Sequence, residues 1–328
     1  MRRIPPALFL FFLAPTIGEL LSGSAPPVEF FNPIVLLILS ALYGSGAVLA
    51  RELALRWNKR WPTILTLGLA YGIIEEGLMV KSFFDPNWMD LGILGTYGRV
   101  AGVNWVWSVS LTLYHATVSI AIPILLTELI FADRRNESWI GRRGMIGLSI
   151  LLAVVGLFGA LALAPYRPPF VPYLFAIIAT VGLYFLARRM PQRFGSQVKN
   201  PRWRPLWIGM IGFLATGAFF IAGWALPEFG IPPVITIGFL ILLALGVLFL
   251  LRWASGEGAW SDAGRLALVS GALTFFILLA FIAERSTDRT DNPAGMAFVG
   301  LIAAVGLLTL NLRVRRRVQE EKRVEIIG

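Results

Sequence analysis

Ten apolar runs, each of a length that crosses a bilayer as a helix, divide this 328-residue chain at nearly regular intervals. They lie near 6–23, 33–50, 62–82, 104–131, 144–163, 169–187, 206–226, 233–251, 266–283 and 294–311. A backbone in hydrocarbon has to satisfy its own polar groups, and runs of this length do so as helices, so the expected fold is all-α and polytopic, with about ten transmembrane helices. Composition agrees: 57% of residues are hydrophobic and 15% charged, with a mean hydropathy of +0.73, against roughly 25% charged in a soluble domain. The net charge of +10 does not point to nucleic acid, because no stretch between the runs is long enough for a soluble basic domain. The absence of cysteine excludes disulfides, thiolate metal sites and a cysteine nucleophile. With a single histidine, His115, no multi-histidine metal site can form within the chain, and neither metal nor cofactor is expected.

The basic residues orient the helices. With the N-terminus in the cytoplasm, 24 of the 29 Lys and Arg residues fall on the two termini and on the loops at 51–61, 132–143, 188–205 and 252–265. Only Lys81, Arg99, Arg167, Arg285 and Arg289 are left outside. This is the positive-inside pattern of a multi-pass protein of the plasma membrane, with both termini cytoplasmic and membrane lipids as its surroundings. A rival reading takes Arg2-Arg3, the following apolar run and Ser22-Gly-Ser-Ala25 as a signal peptide, whose cleavage would remove Glu19 and leave nine spans.

Pro33, Pro169, Pro233 and Pro293 each open an even-numbered run and are followed thirteen residues later by Gly46, Gly182, Gly246 and Gly306. Proline suits a first helical turn, and glycine lets helices approach. The spacing therefore predicts hairpin repeats at 144–189, 206–252 and 266–313, with these glycines at helix contacts. Charge is distributed unevenly. From residue 144 onward the interiors of the runs carry no Asp, Glu, Lys, Arg or His, whereas the first 132 residues hold Glu19, Glu52, Glu75, Glu76, His115 and Glu128. The chain is accordingly divided into a polar four-helix half, 1–132, and an apolar six-helix half, 133–328, with a basic tail.

Ionisable groups within the membrane are costly and mark function. At ~1.5 Å per residue, Glu19 and Glu75 each lie roughly 20 Å above the cytoplasmic start of their runs, and His115 about 16 Å below the outer start of its own. These groups therefore share a level in the outer half. On the fourth run Asn104, Ser108, Thr112, His115 and Ser119 line one side of a helix, and Tyr71 shares a face with Glu75. Glu75, Glu76 and His115 are the candidate catalytic residues. Glu19, Tyr71, Asn104, Ser108, Thr112 and Ser119 are the candidate supporting or substrate-contacting groups. A buried carboxylate–imidazole pair can activate water, hold an ion, or simply join two helices.

The run Gly72-Ile-Ile-Glu75-Glu76-Gly-Leu-Met-Val-Lys81, followed 39 residues after Glu76 by Ser110-Leu-Thr-Leu-Tyr-His115, resembles the first two motifs of the CAAX prenyl-protease and bacteriocin-processing (Abi type) group of membrane glutamate proteases. The resemblance implies that Glu75 and Glu76 activate water and that His115 stabilises the oxyanion, on a membrane peptide or lipidic substrate. Val80 stands where that group has arginine, Leu111 where it has phenylalanine, and no later run supplies a further His or Asn. Two other readings stay open: a proton- or cation-coupled transporter or channel, for which spans and intramembrane carboxylates speak, and a non-catalytic membrane scaffold subunit.

The orientation is checked by cysteine labelling, since the chain has no cysteine of its own. A cysteine at position 196 should react with an impermeant maleimide only after the cells are opened; reaction in intact cells would invert the topology.

Overall fold

The computed structural model describes residues 4–89, 91–190, 203–255, 261–286, 289 and 291–327. Position 196 and the other basic positions of 191–202 lie outside the described residues. Among the described residues ten long helical segments follow one another, with a short helix, Pro27–Phe30, between the first two: α1, Pro6–Leu21; α2, Pro33–Arg56; α3, Trp61–Gly72 continuing as Ile73–Met79; α4, Trp105–Ile130; α5, Arg142–Leu163; α6, Phe170–Arg189; α7, Pro205–Glu228; α8, Pro233–Ser255; α9, Asp262–Ala283; and α10, Met296–Ile327. The protein is an all-α polytopic membrane protein. Eight of these helices are long and apolar enough to cross a bilayer, two fewer than the sequence count. The other two are α1, which is shorter, and α3. Both carry acidic residues, Glu19 on α1 and the Glu75–Glu76 pair on α3, which lower their apolarity.

Side-chain hydrogen bonds sort the connections onto two faces, as alternating helices require. On one face Lys59 donates to Met190 O (2.5 Å), Arg51 to Glu137 O and Arg135 O (2.7 Å each), and Asp262 accepts from both Arg135 and Arg317 (2.6 Å each). On the other, Lys81 donates to Ala164 O (2.7 Å), Tyr97 to Ile231 O (2.7 Å) and Arg289 to Gly23 O (2.8 Å). The basic face is the one assigned to the cytoplasm. Arg51 is fully buried there, and its charge is compensated: Glu52 lies at 2.6 Å, two carbonyls accept from it, Glu128 Oε1 stands 3.6 Å from its Nε, and the Trp139 ring stacks at 3.6 Å.

Two apolar clusters hold the bundle. Leu10, Tyr43, Val48, Ile64, Ile120 and Ile124 pack α1 to α4 together. Leu126, Leu129, Leu273, Phe276 and Leu310 join α4 to α9 and α10. Burial falls off sharply beyond that: α2 and α4 are each 61% buried, whereas α6 is 6% and α5, α7 and α8 are 11% each. These last four form an apolar belt whose natural solvent is lipid.

The glycine contacts expected from the proline-plus-thirteen spacing are absent at Gly182, Gly246 and Gly306, where a Cβ would meet open space. Only Gly46 faces a neighbour, the ring of Tyr71. Close approach is made elsewhere. Gly212 and Gly271 press α7 and α9 backbone to backbone. On α3, a Cβ at Gly68 would lie 2.7 Å from Ala116 Cα, and one at Gly72 would lie 3.1 Å from Thr112 Cα, both on α4. Spaced by one turn, these two glycines bring α3 against α4.

Gly68→Ala should therefore destabilise the protein by about 1–3 kcal/mol through overpacking against a backbone that cannot yield. Gly182→Ala, in open space within a helix, should be neutral or gain up to about 1 kcal/mol. Thermal unfolding in detergent reads both; equal effects would refute the α3–α4 contact.

Candidate functional site

The α3–α4 approach sets Glu75 and Glu76 against His115. Each of these residues sits on a π-helical turn, Ile73–Met79 in α3 and His115–Ala121 in α4. Two more π turns, Thr16–Leu21 in α1 and Ser40–Gly44 in α2, bring Glu19 and Tyr43 to the same place. A π turn inserts a residue into the helical ladder and swings the side chains after it, which is why such turns recur at functional sites. In α1 the turn follows Pro15, whose missing N–H already interrupts the ladder.

His115 stands between the two glutamates. Its Nε2 lies 3.1 Å from Glu76 Oε1; its Nδ1 lies 3.2 Å from Glu75 Oε2 and 3.0 Å from Ser119 Oγ. The second Glu76 oxygen accepts from the Ser82 hydroxyl, which in turn accepts from Trp107 Nε1 at 3.0 Å. On the far side Tyr43 donates to Glu19 Oε1, and the Tyr43 and Tyr71 hydroxyls both neighbour Glu75. Three tyrosine rings surround the imidazole, with centroids at 5.9 Å for Tyr43, 6.0 Å for Tyr71 and 5.3 Å for Tyr114. Tyr114 also donates to Gly18 O at 2.6 Å, joining α4 to α1. His115 is 2% exposed, Glu75 5% and Glu76 9%, so the cluster is removed from bulk water. Within it, Glu75 Oε2 and the Tyr71 hydroxyl are buried without a hydrogen-bond partner.

Of the groups singled out in the sequence, Glu19, Tyr71, Glu75, Glu76, His115 and Ser119 converge here. Asn104, Ser108 and Thr112 do not. Asn104 caps α4, accepting from Trp107 N at 3.0 Å and donating to Leu94 O, and Ser108 donates back to Asn104 O at 2.6 Å. Thr112 presents its backbone to Gly72. These residues belong to the outer end of α4, and the start of the π turn at His115 breaks the stripe's phase. Lys81, next to the position where the resemblance asks for arginine, also points away, donating to Ala160 O (2.5 Å), Ala164 O (2.7 Å) and Tyr166 O (3.2 Å) at the end of α5.

Tyr43, Ser82, Trp107 and Tyr114 escaped the sequence reading. The one available signal was for Tyr43, a polar aromatic in an otherwise small and apolar stretch, Ala41-Leu-Tyr43-Gly44-Ser45-Gly46.

One-histidine, two-carboxylate geometry of this kind can take a proton from water, hold a cation or pass protons along the Tyr43–Glu19 arm. Glu75, Glu76 and His115 also present ligand atoms within 4.8 Å of one another, close enough to converge on a metal ion. No curated protein matches the chain, and no solved structure does. The model of an uncharacterized membrane protein family matches residues 8–211, more than half of the chain and the part that carries the whole polar cluster, and the protein belongs to that family.

Proposed function

We propose that this protein is a membrane-embedded hydrolase of the glutamate type, resembling the CAAX prenyl-protease group, and that it cleaves an amide or ester carbonyl of a peptide or lipidic substrate within the plasma membrane. The observation that carries this reading is the meeting of Glu75, Glu76 and His115, from two helices, within hydrogen-bonding reach. The family match itself speaks only for a membrane protein.

The roles divide by hydrogen bonding. Glu75 Oε2 makes no hydrogen bond, His115 Nδ1 at 3.2 Å being its nearest charged neighbour, so Glu75 is assigned the general base. Glu76, fixed by Ser82 on one oxygen and paired with His115 on the other, holds the imidazole in place. As water oxygen attacks the carbonyl carbon, its proton passes to Glu75, and His115 takes the oxyanion-stabilising role that the resemblance implies. When the intermediate collapses, the proton held by Glu75 moves to the leaving amine or alcohol.

Transport of protons or a cation is the second reading. It is favoured by the Tyr43–Glu19 arm, which extends the polar cluster beyond what hydrolysis uses.

A panel of membrane-anchored peptide and acyl-ester reporters, incubated with the purified protein in vesicles, tests the first reading. Glu75→Gln should lower the rate of any cleaved reporter by about 10²–10⁴-fold, the usual worth of a general base. Its unfolding temperature should stay near that of the wild type. Cleavage unaffected by Glu75→Gln, or an equal loss of stability without any change in rate, would rule out the catalytic role.

A further inference from the structure

We propose that Glu75, Glu76 and His115 form a binding site for one divalent first-row transition-metal ion, of which zinc is the working probe. The proposal uses the residues of the hydrolase reading but does not rest on it, because it follows from ligand chemistry and charge; with an ion bound, Glu75 and His115 would serve as ligands rather than as base and oxyanion donor.

The ligand atoms are already gathered, one imidazole nitrogen and one oxygen from each carboxylate within 4.8 Å of one another. Three protein ligands of mixed nitrogen and oxygen are the set found in zinc sites that keep a further position for water. Calcium, which takes six to eight oxygens, is poorly served by a site with so few oxygens and an imidazole. The supporting groups also fit. If Nε2 ligates, Nδ1 retains Ser119 Oγ at 3.0 Å, the kind of partner that fixes the tautomer of a metal-bound histidine. Glu76 keeps Ser82 on its other oxygen.

Two further observations point to a bound ion rather than a closed hydrogen-bond network. Glu75 Oε2 is buried and makes no hydrogen bond, its nearest charged neighbour being His115 Nδ1 at 3.2 Å. Ser119 Oγ lies closer to that nitrogen, at 3.0 Å, so a neutral imidazole whose Nδ1 is engaged by Ser119 leaves Oε2 without a donor, and a cation would supply the missing partner. The second observation is charge. With ionised glutamates and a neutral imidazole the trio carries two negative charges in hydrocarbon. Protonating the histidine satisfies both of its nitrogens and still leaves one negative charge. A single divalent cation brings the trio to neutrality without any added proton, which is the state the membrane interior favours.

The single histidine rules out a multi-histidine site, but a one-histidine, two-carboxylate site needs no second one.

The test is metal content and spectroscopy on the whole protein in detergent, stripped with a chelator and then equilibrated with zinc or cobalt(II). The wild type should retain about one zinc per chain after desalting, and cobalt should give the visible absorption bands of a low-coordinate N/O site. Glu75→Gln, Glu76→Gln and His115→Ala should each lose the retained metal, and Ser119→Ala should weaken binding by about 10–100-fold, as loss of a ligand's supporting hydrogen bond does elsewhere. The isosteric Gln variants are checked by gel filtration for a folded, monodisperse protein. A wild-type protein that retains no zinc and shows no cobalt band overturns the proposal whether or not any variant folds. So does metal retention that is unchanged in folded Glu75→Gln and Glu76→Gln. Neither result touches the hydrolase reading, which is decided by reporter cleavage.

Discussion

The imidazole of His115 between two carboxylates is the interaction on which the polar half of this protein depends. Each glutamate, alone and ionised in hydrocarbon, would cost several kcal/mol or give up its charge. Together around His115 they become tolerable, because each nitrogen faces a carboxylate and the remaining Glu76 oxygen is satisfied by Ser82. The pairing also ties α3 to α4 in register. A shift of one residue in either helix would leave two unpaired acids facing an apolar wall.

Backbone devices make that meeting possible. Gly68 and Gly72 remove the side chains that would hold α3 away from α4. Gly46 leaves space for the Tyr71 ring, and at Gly18 a Cβ would lie only 2.7 Å from the Tyr43 ring, so both tyrosines reach the cluster through glycines on other helices. The π turns then aim the polar groups. In the described residues of α6 to α10 no π turn occurs, and these are helices whose interiors carry no charge. Four of the five π turns thus fall in α1 to α4, where the ionisable side chains are, and the fifth, Gly159–Leu163 in α5, lies in a helix whose interior carries no charge.

Much of this arrangement was legible in the chain. Glu19, Glu75, Glu76 and His115 stand out because charge is rare in apolar runs, and the rise per residue alone put Glu19, Glu75 and His115 at one depth. The polar stripe on α4 was less faithful, since its phase assumes an unbroken period of 3.6. That period ends at His115, so Ser119 faces the cluster while Asn104 and Ser108 serve the helix start. Tyr43 was invisible for a different reason: a tyrosine in a span is ordinary, and only the fold shows that its hydroxyl reaches Glu19. The proline-plus-thirteen glycines misled because small size matters only where a neighbouring backbone comes close. Gly182, Gly246 and Gly306 meet no neighbour, whereas Gly212 and Gly271, at no special spacing, do.

The outer segment from Val80 to Asn104 shows how firmly the cluster is enclosed from that side. Lys81 adopts φ +62°, a conformation that costs a side-chain-bearing residue roughly 1–2 kcal/mol. Three carbonyls at the end of α5 accept from its ammonium group, so the same residue that turns the chain out of α3 also fastens α3 to α5. Ser82 then faces Glu76, Phe83 and Phe84 are buried, and Arg99 holds Phe84 O at 2.7 Å and Asp85 O at 3.2 Å. These bonds join polar groups that water can replace one by one at modest net cost. The glycine contacts of α3 with α4 cannot be loosened in that way, because they are backbone packing. The cluster is thus closed by two different means, exchangeable polar bonds in the segment after α3 and backbone packing along the α3–α4 seam.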